Sequence, residues 1–325
     1  MKPVIGCLGA GRMGRGIAVV FAFAGHQVVV VDFKEREVSA FEALAAEARA
    51  EIRSTLEILS RIDLLPAELV PTIAERITIV PRHEAGAALP RCDVIFEGMP
   101  EILTLKQAAL AEASRLAGEG PIIASTTSTI LVDDLAGSIE HPGRFLNAHW
   151  LNPAYLVPLI ELSPGRLTAP EVTARMKALL EGIGKVPVVC AARPGFIVPR
   201  IQSLAMNEAA RMVEEGVASA EDIDKAIKYG FGVRFATLGM LEFIDWGGGD
   251  ILHHASRYLV EALGDSRYAA PDIIATNMRE GRIGMKTGQG FMNYEGVDQA
   301  AYREKRLAAF AAALRAMGLA REPVA

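Results

Sequence analysis

Cysteine is scarce: there are three in 325 residues, Cys7, Cys92 and Cys190. Three scattered cysteines make neither a disulfide framework nor a zinc site. Their apolar, strand-like surroundings point to buried free thiols in a reducing compartment, and no metal is expected. No apolar run reaches the roughly 18 uninterrupted residues that a membrane span requires. The stretch "MKPVIGCLGAGRMGRGIAVVFAFAGHQVVVVD" comes nearest, but five glycines precede residue 17, and Arg12 and Arg15 break the run. No small-residue cleavage site follows a clean apolar core, so export is not expected. Positive charge is not in excess either. Thirty-four Lys and Arg against 39 Asp and Glu leave a net charge of −5, which gives no reason to expect nucleic acid. These absences describe a cytoplasmic protein with no membrane or nucleic-acid partner.

What is present is apolar and long. Hydrophobic residues make up 51% and charged residues 22%, the balance of a packed chain rather than a disordered one. At this length two domains are expected. In the first half, short β-branched runs alternate with helix-like segments, the pattern of a parallel sheet wrapped by helices. The runs are 3–9, 27–32, 77–81, 93–98, 121–126, 145–149, 158–162 and 186–190, with a long amphipathic helix over 39–62 and a short one near 66–75. At "ARPGFIVPR" the character changes, and helical periodicity continues through 197–215, from Ser219, and through 236–245, 250–263 and 298–317. The expected fold is α/β: a Rossmann-type doubly wound sheet domain, residues 1–193, followed by an all-helical C-terminal domain, residues 194–325.

The glycines of "GAGRMG" (Gly9, Gly11, Gly14) lie between the first strand and a helix, with Arg12 and Met13 at the helix opening. Each has its own task in a dinucleotide site. The first glycine permits the tight turn, the second lets the pyrophosphate approach the backbone, and the third lets helix and strand pack closely. The helix amino terminus then offers unpaired N–H groups to the diphosphate. Asp32 ends the next strand some twenty residues on. It would accept the ribose hydroxyls and repel a 2′-phosphate, favouring NAD, although Lys34 two residues on weakens that preference.

"LNAHWLNPAYLVPLIELSPG" (146–165) carries one histidine, His149, and one carboxylate, Glu161, in apolar company. Buried ionisable groups are costly unless paired, so the two either satisfy each other or act as a base with its orienting acid. The stretch alone leaves both readings open.

The order of motifs goes further. After the glycine loop come "EGMPEILTLK" (97–106), "ASTTST" (124–129), "AHWLNP" (148–153), Glu161, "RPGFIV", and a helical region closing on "GMKTGQGFMNY" (284–294). This set resembles the 3-hydroxyacyl-CoA dehydrogenase family from near the start to about residue 294, with the remainder as an added tail. The resemblance implies NAD-dependent oxidation of a 3-hydroxy to a 3-keto group on an acyl-CoA such as 3-hydroxybutyryl-CoA, a place in fatty acid metabolism, and a homodimer built through the helical domain. It implies His149 as catalytic base, Glu161 as its partner and Ser128 as the serine that bonds the reacting oxygen. Glu101 and Lys106 would stand beside the nicotinamide end of the cofactor, and Asn152, with Pro153, would shape the loop after the base and touch substrate.

The chain also departs from that pattern. Where the acyl-CoA enzymes carry an asparagine after "GFIV", this chain has Pro199, which offers neither an amide nor an N–H, so the contact is either lost or replaced, with Arg200 or Asn207 as candidates. No lysine occurs between Lys34 and Lys106, which leaves Arg49, Arg53 and Arg61 as the cations of the long helix. "NPAYLVPLIEL" and "GFGVRFATLG" (230–239) resemble instead the carnitine and gulonate dehydrogenases, which oxidise free hydroxy acids. Arg234 falls where a guanidinium would grip a substrate carboxylate. The 3-hydroxyisobutyrate and 6-phosphogluconate dehydrogenases are a further alternative. They use a lysine on the helical domain, and "RPGFIVPRIQSLAMNEAARM" has none. A non-catalytic NAD-binding protein is the last reading, and an intact serine, histidine and glutamate set speaks against it.

Overall fold

The structure, a computed structural model, describes residues 2–321. β-Branched runs apolar on both faces need cover on both sides, and they receive it. The strands β1 (Ile5–Leu8), β2 (Val28–Asp32), β3 (Ile77–Pro81), β4 (Val94–Glu97), β5 (Ile122–Ser125), β6 (Phe145–Trp150), β7 (Leu159–Pro164) and β8 (Val186–Val189) form one sheet. Its order is β3-β2-β1-β4-β5-β6-β7-β8. The first six strands are parallel, β7 runs antiparallel to β6, and β8 is parallel to β7. The sequence order reverses between β1 and β4, the switch point where doubly wound sheets open a crevice for ligands.

Helices α1 (Arg12–Phe23), α2 (Val38–Arg61), α3 (Leu103–Ala117) and α4 (Pro170–Gly182) clothe the sheet. Phe21, Ile52, Leu56 and Met176 belong to the apolar cluster of one face, and Leu110, Ala113, Leu135 and Phe145 to that of the other. Arg49, Arg53 and Arg61 all lie on the solvent side of α2. Cys7 and Cys92 are buried and Cys190 is half-buried. Burial pushes the Cys7 thiol far up and the Cys92 thiol up to about 11, so neither is a thiolate nucleophile near neutral pH.

The chain divides after Ala205 into two compact units, a division that falls within α5 (Val198–Glu214). The second unit is helical, with α6 (Ala220–Ala226), α7 (Met240–Gly247), α8 (Gly249–Leu263), α9 (Asp272–Arg279) and α10 (Gln299–Ala316). Ser219 caps α6 by accepting the Asp222 N–H at 3.1 Å. A single π-helical turn, Ile227–Gly232, follows α6.

The closing motif wraps a buried carboxylate. Asp245 accepts from Phe291 N (2.9 Å), Met292 N (2.8 Å) and the Tyr294 hydroxyl (3.2 Å). Side chains on Gly284 and Gly290 would lie 2.3 Å from Asp245 O and 2.0 Å from Asp245 Oδ1, so these two glycines serve this packing. The stretch beyond 294 is docked rather than loose. Tyr302 bonds Glu242, Arg306 Nε lies 2.6 Å from Glu242 Oε1, and Gln299 donates to Met285 O at 2.9 Å. No helix among the described residues is long and apolar enough to cross a membrane.

Candidate active site

The glycine loop has the geometry of a phosphate cradle. Gly9 takes φ +95°, which suits glycine alone, and a side chain on Gly14 would lie 2.0 Å from the Gly9 carbonyl oxygen. A side chain on Gly11 would meet no protein atom, so its backbone faces open space. The first turn of α1 has neither a capping side chain nor an acid, leaving its N–H groups for an anion. These features open on a cleft of about 340 Å³ whose walls include Gly9, Gly11, Asp32, Lys34, Gly98 and Met99. A dinucleotide's pyrophosphate and ribose fit these donors and acceptors. Arg12 is exposed beside the loop and Met13 is half-buried. Asp32 ends β2 at 4% exposure, and Arg36 Nε donates to its Oδ2 at 2.5 Å.

Deeper in the unit a polar line crosses the sheet. Glu97 on β4, Ser125 on β5, Asn147 on β6 and Ser163 on β7 are register neighbours, and all four are fully buried. Register partners project to one face, so the row is continuous. Lys106 sits at its end, with Nζ 2.9 and 3.2 Å from the two Glu97 oxygens and 3.0 Å from Met99 O. Ser125 Oγ donates to Glu97 Oε2 at 2.6 Å. Lys106 is thus buried with its donors engaged inside the protein.

Glu101, expected beside the cofactor, organises the loop after β5. Its Oε1 accepts the Thr127 hydroxyl, the Ser128 and Thr129 N–H groups at 3.1 Å each, and the Thr129 hydroxyl at 2.9 Å. Burial alone would push this carboxyl up. The hydroxyls of Thr127 and Thr129 and the Lys106 charge outweigh it and hold the group below its ordinary value. Asn147 Nδ2 pins the same loop by donating to Ile130 O at 2.9 Å. The Ser128 side chain, by contrast, is exposed and bonds nothing among the described residues.

His149 and Glu161 are direct cross-strand neighbours on β6 and β7, two residues along from Asn147 and Ser163. The His149 Nδ1–H donates to Glu161 Oε2 at 2.7 Å, leaving Nε2 without a partner among the described residues. The second carboxylate oxygen, Oε1, accepts the Ile197 and Val198 N–H groups at 2.8 Å each. Glu161 is fully buried, and the three hydrogen bonds it accepts fix the imidazole by its Nδ1 edge, leaving Nε2 open to a hydroxyl. Lys185 Nζ ties the turn after the base to the sheet through Ala154 O (2.6 Å) and Val157 O (2.8 Å). Asn152 lies exposed in that turn.

The family model "3-hydroxyacyl-CoA dehydrogenase, NAD binding domain" matches residues 4–193, and "3-hydroxyacyl-CoA dehydrogenase, C-terminal domain" matches 195–294. The chain belongs to the 3-hydroxyacyl-CoA dehydrogenase family. As a member it is an NAD-dependent oxidoreductase acting on a CH–OH group. A 5-formyl-3-hydroxy-2-methylpyridine 4-carboxylate 5-dehydrogenase of Mesorhizobium japonicum is 31% identical over 89% of this chain and 90% of its own. A 3-hydroxybutyryl-CoA dehydrogenase of Clostridioides difficile is 30% identical over 88% and 98%. Among solved structures, a 3-hydroxyacyl-CoA dehydrogenase of Archaeoglobus fulgidus is similar at TM-score 0.76 and 31% identity, covering 98% of this chain and 100% of that one. The likeness therefore takes in most of the stretch beyond residue 294.

Of the residues expected for this family's site, the sheet unit places His149 with Glu161, and Glu101 with the Ser128 loop and Lys106. Arg234 belongs to the helical unit, where its guanidinium lies 4.8 Å from the centre of the Phe243 ring and has no acidic partner among the described residues. Pro199 occupies the first turn of α5, a position proline tolerates. The sequence reading missed Glu97, Asn147, Ser163 and Phe196. A signal existed for three of them: a polar residue within or at the end of an otherwise apolar strand, in Asn147 and Ser163 two positions from His149 and Glu161.

Proposed function

We propose that this chain oxidises the 3-hydroxyl of a short 3-hydroxyacyl-CoA, such as 3-hydroxybutyryl-CoA, to the ketone. The observation that carries this reading is the His149 imidazole, held at Nδ1 by a buried carboxylate with Nε2 unpartnered. Removing hydride from a secondary alcohol leaves positive charge at carbon unless the hydroxyl proton departs as well. His149 Nε2 takes that proton, and Glu161 stabilises the imidazolium that forms. Ser128 donates its exposed hydroxyl to the reacting oxygen, on a loop held by Glu101 and Asn147. Asp32 holds the adenosine ribose, and the Gly9–Gly14 turn with the start of α1 holds the diphosphate. NAD, when bound, supplies the hydride acceptor. Such an activity belongs to fatty acid metabolism in the cytoplasm. The test is a panel of 3-hydroxyacyl-CoAs beside free 3-hydroxy acids, followed by NADH formation. Absence of turnover on every acyl-CoA would sink this reading.

A second reading is favoured by Arg234, an exposed guanidinium with no carboxylate partner among the described residues. A free hydroxy acid would supply one. The Mesorhizobium japonicum relative carries a pyridine carboxylate in its name, which makes the same chemistry worth testing here.

The assembly we propose is a homodimer formed through the helical unit. Met206, Ile251 and Tyr258 are 69%, 62% and 69% exposed there, apolar surface that a second copy would cover. Light scattering at micromolar concentration should give twice the 34.8 kDa chain mass, and a monomer mass would contradict the assembly.

A further inference from the structure

Phe196 combines three observations that packing alone does not call for. Its backbone takes φ +44°, in the left-handed region that non-glycine residues avoid. Its ring is 6% exposed and stacks on the His149 imidazole, with centroids 5.3 Å apart and planes 16° from parallel. The next two residues, Ile197 and Val198, donate their N–H groups to Glu161, the carboxylate that holds His149. Gly195 before it also has positive φ, +78°. The turn 195–198 therefore grips both members of the pair: backbone to the acid, ring to the base.

We propose that Phe196 is a positioning residue for His149, its ring fixing the plane of the imidazole and keeping water off one face. The inference rests on the reading of His149 as the base of the dehydrogenase. The physical argument is one of freedom. The Nδ1–H bond to Glu161 leaves the imidazole free to rock about that bond, which swings Nε2 away from the hydroxyl it must meet. A flat neighbour lying 16° from parallel removes that motion. The left-handed backbone is unfavourable at a non-glycine residue, so a glycine would be the easier choice if the ring had no task. The two N–H bonds to Glu161 over-determine the turn and hold the strained conformer in place.

The test uses the full-length chain and two readouts. In the first, NMR of the histidine ring protons, assigned by comparison with His149→Gln, should show an upfield ring-current shift at His149. Phe196→Leu should abolish the shift and Phe196→Tyr should keep it. In the second, oxidation of 3-hydroxybutyryl-CoA with NAD, Phe196→Leu should lower kcat by about tenfold or more, the scale of a misplaced reacting group. KM and the Kd for NAD should stay within about twofold, since the loop that holds the phosphates is untouched, and Phe196→Tyr should restore kcat. Deuterium at the substrate carbon should slow the Leu variant more than wild type, because the chemical step has become limiting. Phe196→Met stands in if the Leu variant fails to bind NAD. A missing ring-current shift in wild type, or a Leu or Met variant with unchanged kcat, overturns the proposal. Wild-type inactivity on every hydroxy substrate, seen before any variant is made, overturns the dehydrogenase reading and this proposal with it.

Discussion

The sheet unit and the helical unit handle apolar surface in opposite ways. Every residue of β1, β4, β5 and β6 is buried, whereas α10, eighteen residues long, buries none and α8 buries only Ser256. Buried charge occurs in both units, since the helical unit encloses Asp245, but the sheet unit holds more of it. In the sheet unit Glu97, Lys106 and Glu161 are inaccessible and find partners inside the protein. In the helical unit Arg234 is exposed and without an acidic partner among the described residues. The first unit gathers its ionisable groups around a buried sheet, and the second leaves more of its helical surface and the Arg234 charge open to solvent.

The contrast is broken most directly at the base. His149→Ala should leave NAD affinity nearly unchanged and lower turnover by roughly a hundredfold to ten-thousandfold, the range for a lost general base. Near-normal turnover on the true substrate would remove His149 from the mechanism. Glu161→Gln should also lose rate, because an amide cannot serve both the imidazolium and the two N–H donors of Ile197 and Val198. The internal ion pair offers a second break. Lys106 and Glu97 are 1% and 0% exposed, and removing one partner of such a pair typically costs about 3–5 kcal/mol. Lys106→Met should therefore lower unfolding free energy on that scale in a denaturant titration. Adding Glu97→Gln should recover part of the loss, since the stranded charge is gone. Unchanged stability in the single variant would mean the pair is not dry.

Much of the sheet unit is legible in the sequence because its signals are local. Consecutive β-branched residues mark six of the eight strands, β6 and β7 being carried by other apolar residues, and the spacing of Gly9, Gly11, Gly14 and Asp32 marks the dinucleotide loop. The His149–Glu161 pair is half legible. Twelve residues apart, they meet only because β6 and β7 are antiparallel and in a particular register, which periodicity does not fix. The grip of 195–198 on that pair is not legible at all, since it depends on a left-handed turn at Phe196 that aims the next N–H, of Ile197, at a strand residue 36 positions earlier. Lys106 adds a contact that periodicity does not reveal: its Nζ bonds Glu97, nine residues earlier at the end of β4, at 2.9 Å. The closing motif "GMKTGQGFMNY" is the last of the set that resembles the acyl-CoA enzymes. Gly284, Gly290 and the Phe291 and Met292 amides serve Asp245 within the helical unit, a role in folding that the motif does not announce.

Substrate choice is then best sharpened at Arg234. Arg234→Met keeps length and apolar contact with Phe243 while removing the charge. If the substrate is a free hydroxy acid, losing a charge-assisted pair with its carboxylate should cost about 2–5 kcal/mol, a roughly thirtyfold to several-thousandfold fall in kcat/KM. An acyl-CoA thioester carries no charge to lose, and kcat/KM on 3-hydroxybutyryl-CoA should change little. The two substrates measured side by side on one variant therefore separate the readings, with NAD affinity as the check that the chain is folded.

The smallest expected effect lies at Arg36 and concerns how sharply the cofactor is chosen. In the proposed cofactor site Asp32 would reject a 2′-phosphate by charge, but Arg36 sits on its Oδ2 at 2.5 Å and offsets part of that charge. Lys34 lines the same cleft and attenuates it further. NAD should still bind more tightly than NADP, because Asp32 accepts the ribose hydroxyls and a phosphate there would meet a carboxylate. Arg36→Ala removes the offset and leaves Asp32 fully negative toward the cleft. For a pair whose arginine is 30% exposed, water screens the interaction, so the change is worth about 0.3–1 kcal/mol. The ratio of NADP to NAD dissociation constants should accordingly rise about twofold to fivefold, through weaker NADP binding rather than tighter NAD. Titrating both cofactors against wild type and variant reads this directly. A ratio that falls on losing Arg36 would show instead that the arginine shields nothing, and that Asp32 needs it to stay in place.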